Sequence, residues 1–198
     1  MRITREEAAE NKARIIAVAA SRFREKGFDG IGLADLLREA GLTHGAFYNH
    51  FTSKDELDDA ACRLAFETAA AKLTALTAHS GADRHRALTD YVARYLSREA
   101  RDAPVICPIV SLSGEAARRG KSLRRHFAEG VGRHLRLLAA AIRGREADAA
   151  QAHEKAVGAL ALLVGGLLLA RSVKDADAPL SDEILAITRK AVRDHIGD

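Results

Sequence analysis

Two cysteines, three prolines, one methionine and no tryptophan occur in 198 residues, and aromatic side chains make up only 5% of them. Cys62 and Cys107 are too few for a disulfide framework and lack the CxxC spacing of a metal site, so no metal is expected. With three prolines and 15 glycines the chain is neither collagenous nor of low complexity. A long hydrophobic run is also missing. The longest, Ala156 to Ala170, falls short of the roughly 20 residues that span a bilayer. The charged start, Met1-Arg2-Ile3-Thr4-Arg5-Glu6-Glu7, has no apolar stretch behind it to form a secretory signal. The expectation is a soluble cytoplasmic protein with no membrane partner and no cofactor. What is present is ordinary for a globular chain: 47% hydrophobic and 29% charged residues, enough for one domain or a small domain fused to a larger one.

The formal charge is +4 and the pI about 9.3, but the charge is unevenly placed. Residues 1–60 hold 9 basic and 11 acidic residues, whereas residues 84–145 hold 14 and 5. Arg118, Arg119, Lys121, Arg124 and Arg125 form the densest cluster. Two readings of it stand, a solvated helix junction and a phosphate-binding patch, and net charge alone does not identify a nucleic-acid binder.

Periodicity is helical from end to end, and no stretch alternates long enough to be a strand. A first helix runs from about Arg5 to Lys26 and stops at Gly27; a second, Leu33 to Ala40, ends at Gly41. Thr43 is placed to cap a third, His44 to about His50. Ser53-Lys54-Asp55-Glu56 has the form of a capping box opening a fourth helix toward His79. A fifth helix runs from Asp83 through Tyr91, Tyr95 and Leu96 to the break at Asp102-Ala103-Pro104. A sixth spans Pro108 to Gly120, a seventh carries the stripe Leu123, Phe127, Val131, Leu135, Leu138 and Ile142, and an eighth spans Asp148 to Val173. Ser181 can cap a ninth bearing Ile184, Ile187, Ala191 and His195. There is no internal repeat. The fold class is therefore all-α, about nine helices.

Three short helices in the first 51 residues suggest a helix-turn-helix. In the turn Ala40-Gly41-Leu42-Thr43, Gly41 can take a positive φ, Leu42 can bury and Thr43 can cap. Gly27-Phe28, Ala40-Gly41-Leu42-Thr43, Gly45, Phe47-Tyr48, His50-Phe51 and Lys54-Asp55-Glu56-Leu57 together resemble the N-terminal signature of the TetR family of bacterial transcriptional regulators. The resemblance covers about residues 9–69, with the helix-turn-helix at about 32–51. It implies a DNA-binding domain over residues 1–53 and a helical effector-binding and dimerisation domain over 54–198. It also implies that Thr43, Tyr48, His50 and Lys54 contact phosphates, that His44 and Asn49 face base edges, and that Gly45 and Ala46 permit close approach. Phe47 and Phe51 would be core. Two positions depart from the family pattern: Gly32 replaces a capping hydroxyl, and Leu37 replaces a small residue at a helix crossing.

No catalytic residue is expected. Cys107 and His126 could be a nucleophile and a base, but no orienting group or oxyanion loop accompanies them. Phe66, Tyr91, Tyr95, Cys107 and Phe127 are either a plain core or the lining of a pocket for a small hydrophobic effector. Residues 156–170 are apolar all round, which predicts a homodimer interface through Gly158, Ala161, Gly165 and Gly166, completed by Ile184, Ile187 and Ala191. The function expected is a ligand-responsive repressor that binds a palindromic double-stranded DNA operator. The alternative is a helical small-molecule-binding or interaction module with a vestigial DNA head.

Overall fold

The structure, a computed structural model, describes residues 4–78, 81–143 and 148–197. His79, the expected end of the fourth helix, and Met1, Arg2 and Ile3 of the charged start lie outside them. The described residues form ten helices and no strand: α1 Arg5–Lys26, α2 Leu33–Glu39, α3 His44–Phe47, α4 Lys54–Thr77, α5 Gly81–Tyr95, α6 Arg98–Asp102, α7 Pro108–Ala116, α8 Lys121–Arg143, α9 Ala149–Val173 and α10 Ala178–Ile196. The tenth arises because Ser97 restarts the chain: its side chain accepts from the Ala100 N–H at 3.1 Å, splitting the expected fifth helix into α5 and α6. The last helix begins early. Asp177 caps it by accepting from the Leu180 N–H at 2.9 Å, while Ser181 is buried and donates its hydroxyl to the Ala170 carbonyl at 2.7 Å.

Two compact units interleave along the chain. The first takes Met1–Thr68 and Pro104–Gly130, the second Ala69–Ala103 and Val131–Asp198. In the first, Thr4 and Glu7 close a reciprocal capping box, and Gly27 (φ +80°) ends α1. Ile15, Phe23, Phe28, Leu36, Leu37, Phe47, Phe51 and Leu57 are buried as its core. Helix α7 packs against α1. Its Glu115 accepts from the Phe28 N–H at 2.9 Å, in the space a Cβ on Gly27 would occupy. Lys54 donates to the Phe28 carbonyl at 2.9 Å, and Arg119 donates to Asp29 at 2.6 Å with its guanidinium 5.1 Å from the Phe28 ring.

In the second unit α9 and α10 run together. Gly158 leaves room for His195 and Gly166 for Thr188, and Leu163, Leu167, Leu185 and Val192 are buried. Arg101 of α6 donates to Ser181 at 3.0 Å and to Asp182 at 2.9 Å, and Arg98 pairs with Asp182 through two bonds. By length and composition α9 could cross a bilayer, with a mean hydropathy of 2.0 over its most apolar window. Its 25 helical residues extend past the apolar run read from the sequence, and one side packs on α10, α5 and α6.

Beneath the Phe28 loop, Asp58 is 1% exposed and neither carboxylate oxygen accepts a hydrogen bond. Burial pushes its pKa from the ordinary 3.8 up to about 6; Lys54 and Arg119 (3.7 Å away) oppose the rise, Asp55 and Asp29 add to it. The folded state therefore favours the proton. The resulting stabilisation is present below the ordinary carboxylate pKa and is lost as pH climbs from 3.8 to 6, leaving a constant penalty above. Asp58→Asn removes that penalty. Urea denaturation should show it more stable at pH 7 by up to about 3 kcal/mol, at ~1.4 kcal/mol per pKa unit, with about half the gain at pH 5. A gain independent of pH would contradict this.

Candidate nucleic-acid interface

Residues 33–51 form a helix, a tight turn and a second short helix. The turn is fixed by the backbone. Gly41 (φ +70°) follows the C-cap Ala40; its N–H donates to the Arg38 carbonyl at 3.1 Å and the Leu42 N–H to the Leu37 carbonyl at 2.8 Å. This pair of bonds is a Schellman closure, and glycine is needed because the residue sits in left-handed space. Thr43 then takes the N-cap position in extended conformation, yet its hydroxyl makes no capping bond and stays exposed. Helix α3 proper ends at Phe47; the chain continues in i to i+3 turns through His50, shorter in regular helix than the sequence suggested.

Two buried rings set the orientation of this segment. Phe47 and Phe51 stack at 5.2 Å, and Lys12 lies 4.9 Å over the Phe51 ring. Since Phe47 points inward, its neighbours around the turn point out. Thr43, His44, Gly45, Tyr48 and Asn49 are exposed, Tyr48 to 64%, while Ala46 and His50 are half-buried. The Tyr48 ring leans on Phe47 edge-on at 5.3 Å and lies 5.8 Å from His44, so its direction is set by packing while its hydroxyl remains free. Lys54 is half-buried, and one of its three donors is committed to the Phe28 carbonyl. Gly45 has no internal reason to be glycine: a Cβ there meets nothing within 4 Å.

The remaining sequence candidates fall into separate groups. In the first unit Phe66 and Phe127 pack edge-to-face at 5.2 Å, and the half-buried Cys107 stands at the N-cap of α7. His126 lies 3.4 Å from Glu129 and 3.9 Å from Asp59. In the second unit Tyr91 and Tyr95 are 5.8 Å apart on α5. Also there, Gly158 and Gly166 face α10 of the same chain, whereas Gly165 faces open space. Ala161 and Ile187 are exposed; Ile184 and Ala191 are half-buried. Val157, Leu168, Leu169 and Leu180 are exposed too and were not singled out from the sequence, although Val157, Ala161 and Leu168 recur at helical spacing. The grip of Glu115 and Arg119 on Phe28 and Asp29 carried no sequence signal, because its partners are about 90 residues apart. Among the described residues no group of three or more His, Cys, Asp or Glu could hold a metal ion.

A Gly45→Ala variant separates fold from contact. It should keep or raise stability by up to about 1 kcal/mol, since alanine is the better helix former, and should weaken duplex binding if a surface approaches there. Unchanged binding by fluorescence anisotropy would leave Gly45 without a role.

Residues 15–61 match the family model for bacterial regulatory proteins of the tetR family, and residues 81–182, about half of the chain, match the C-terminal domain of LmrA/YxaF-like transcriptional regulators. The HTH-type transcriptional regulator TtgR of Pseudomonas putida is 46% identical over 57 residues, 29% of this chain but only 27% of that protein. The HTH-type transcriptional repressor NemR of Escherichia coli is 24% identical over 139 residues, 69% of this chain and 70% of that one. The solved structure of reduced E. coli NemR has a TM-score of 0.74 at 22% identity, covering 93% of this chain and 96% of that one. A TetR-family regulator from Cytophaga hutchinsonii gives 0.73 at 22%, covering 99% and 96%. With one family model on the turn-bearing segment and another over half the chain, the protein belongs to the TetR family of bacterial regulatory proteins.

Proposed function

We propose that the protein is a ligand-responsive, DNA-binding transcriptional repressor that acts in the cytoplasm as a homodimer on a palindromic operator. One observation carries the reading: a row of exposed side chains, Thr43, His44, Tyr48 and Asn49, flanks a glycine with open space above it and is held rigid by the buried Phe47 and Phe51. Such a row suits entry into a major groove, where Asn49 has the donor and acceptor pair for adenine and His44 faces a neighbouring base edge. The hydroxyls of Thr43 and Tyr48, with His50 and the two uncommitted donors of Lys54, suit phosphate oxygens. NemR, similar over most of its length, is a repressor by name, which supports that sign of regulation.

The second copy is supported by the apolar side chains that α9 and α10 leave in solvent, Val157, Leu168, Leu169, Leu180 and Ile187. Burying them across a two-fold axis would form a four-helix contact with Gly165 and Ala161 within it. A small hydrophobic molecule is the proposed effector, with two separate groups of positions at which to seek its contacts, Phe66, Cys107 and Phe127 in the first unit and Tyr91 and Tyr95 in the second. It would act by favouring a conformer that fits the operator less well.

On the DNA upstream of the protein's own gene, Tyr48→Ala should weaken binding to every duplex and lower the salt dependence. Asn49→Ala should instead lose discrimination at one base position, worth about 1–3 kcal/mol. Binding by both variants equal to the parent's would overturn the assignment. For the dimer, Gly165→Arg should sediment as a folded monomer, because nothing within the chain opposes the new side chain. A dimeric Gly165→Arg would remove this surface from the interface.

A further inference from the structure

The basic cluster between α7 and α8 has no place in the interface described so far. Arg118, Lys121, Arg124 and Arg125 are all exposed, and none pairs with an acidic residue among the described residues. Arg119, within the same cluster, is by contrast fully employed: 2.6 Å from Asp29, 3.7 Å from Asp58 and 3.8 Å from Glu115. Three of these cations are also poorly placed for the helix that carries them. Lys121, Arg124 and Arg125 stand at the N-terminal end of a 23-residue helix whose first turn has no acidic residue. The backbone there already presents partial positive charge, so cations in that first turn are disfavoured. A fold seeking only solubility has no reason to set four like charges within eight residues there. A bound polyanion removes the penalty.

The position of the cluster names the polyanion. Residues 104–130 fold into the same compact unit as the helix-turn-helix and bring five basic residues against two acidic ones, while residues 1–60 alone are acidic on balance. The junction is fastened beside the proposed phosphate ligand Lys54: Lys54 reaches the Phe28 carbonyl and Arg119 reaches Asp29, the next residue. Ser122, inside the cluster, also donates to Asp59 of α4 at 2.5 Å. The junction is therefore held to the same loop and the same helix as Lys54, within one compact unit.

We propose that the α7–α8 junction is an auxiliary phosphate-binding surface, in which Arg118, Lys121, Arg124 and Arg125 grip the backbone of duplex DNA flanking the bases read from α3. This rests on the DNA-binding reading above and adds what that reading lacks, a source of the positive charge that the helix-turn-helix segment does not carry. The contacts are electrostatic, so they raise affinity on all sequences and carry no base preference.

The test uses the full-length protein with Arg118→Gln, Arg124→Gln and Arg125→Gln combined, and a mixed-sequence duplex several helical turns long, followed by fluorescence anisotropy across a salt series. All three side chains are exposed and unpaired, so the variant should fold, which circular dichroism checks. Each lost phosphate contact lowers the slope of log affinity against log salt by about 0.9, so the combined variant should lose about 2–3 in slope per protomer, about 5 for a homodimer with both junctions on the duplex, and at least about 10- to 100-fold in affinity at moderate salt. Its preference for the DNA upstream of its own gene over the mixed duplex should be unchanged. Arg125→Gln alone, one contact in each protomer, should lower the slope of the homodimer by about 2, which keeps the test decisive should the triple variant not fold. A triple variant with the parent's slope, while Tyr48→Ala lowers it, overturns the auxiliary surface and leaves the DNA reading standing. A parent that binds neither duplex overturns both. Parent binding to phosphatidylglycerol vesicles that the triple variant loses, with the duplex slope unaltered, assigns the junction to a membrane surface and overturns the proposal.

Discussion

The peptide group of Phe28 is the point on which the unit that carries the helix-turn-helix depends. Gly27 ends α1 with a positive φ, so the next N–H and C=O have left the helix, and the Phe28 side chain is fully buried. Buried backbone groups need partners, and here both come from remote side chains: Glu115 takes the N–H across 87 residues and Lys54 supplies the C=O across 26. Leaving such a donor or acceptor unsatisfied costs about 1–3 kcal/mol. The missing Cβ of Gly27 is what lets the Glu115 carboxylate in. Helices α2 and α3 follow directly from this loop, so the bonds that hold it to α7 and α4 also set where the exposed row of α3 is carried.

Legibility in the sequence followed the range of each cause. The turn after α2 was readable through its glycine, a local cause, whereas Leu42, expected to bury, is half-buried and the Thr43 hydroxyl, expected to cap, makes no capping bond. Phe47 and Phe51 were expected as core through the family resemblance, and both are buried. Ser97 and Ser181 were misread in opposite ways. Ser97 caps a helix through partners two and three residues on, the Glu99 carboxylate and the Ala100 N–H, whereas Ser181 is consumed by the Ala170 carbonyl and Arg101, 11 and 80 residues away. Nothing in the run Pro179-Leu180-Ser181 reveals those partners. Lys54 is a similar case: the motif marks its position but not the Phe28 carbonyl that already occupies one donor.

Helix α9 shows where composition stops informing. An all-apolar helix with several glycines can close on a neighbour in its own chain, on another copy or on both. Gly165 and Gly166 are adjacent in sequence, yet side directions differ by about 100° around a helix axis. Gly166 faces Thr188 and Gly158 faces His195, so both are spent on bringing α10 close within the chain. Gly165 faces open space, with the exposed Val157, Ala161 and Leu168 at helical spacing from it. One side of the helix is thus spent within the chain and another is left exposed, and only the intrachain neighbours distinguish them.

The acidic balance of residues 1–60 looks at first like an obstacle to binding a polyanion. It weakens once six of the eleven carboxylates are traced. Glu25 and Glu39 both pair with Arg22, Asp35 pairs with Arg38, Glu56 is held by Lys12 and Thr52, and Asp29 is taken by Arg119. Burial makes Asp58 hold its proton more tightly, which reduces its charge near and below pH 6. More directly, residues 40–54, which include the turn and the exposed row, contain no Asp or Glu at all. Coulomb energy falls with distance and is screened within about 10 Å at moderate salt, so a phosphate near Tyr48 or Asn49 experiences this acid-free stretch far more than the formal sum. Several of the segment's negative charges are engaged by neighbouring cations, and the stretch from 40 to 54 carries no acidic side chain.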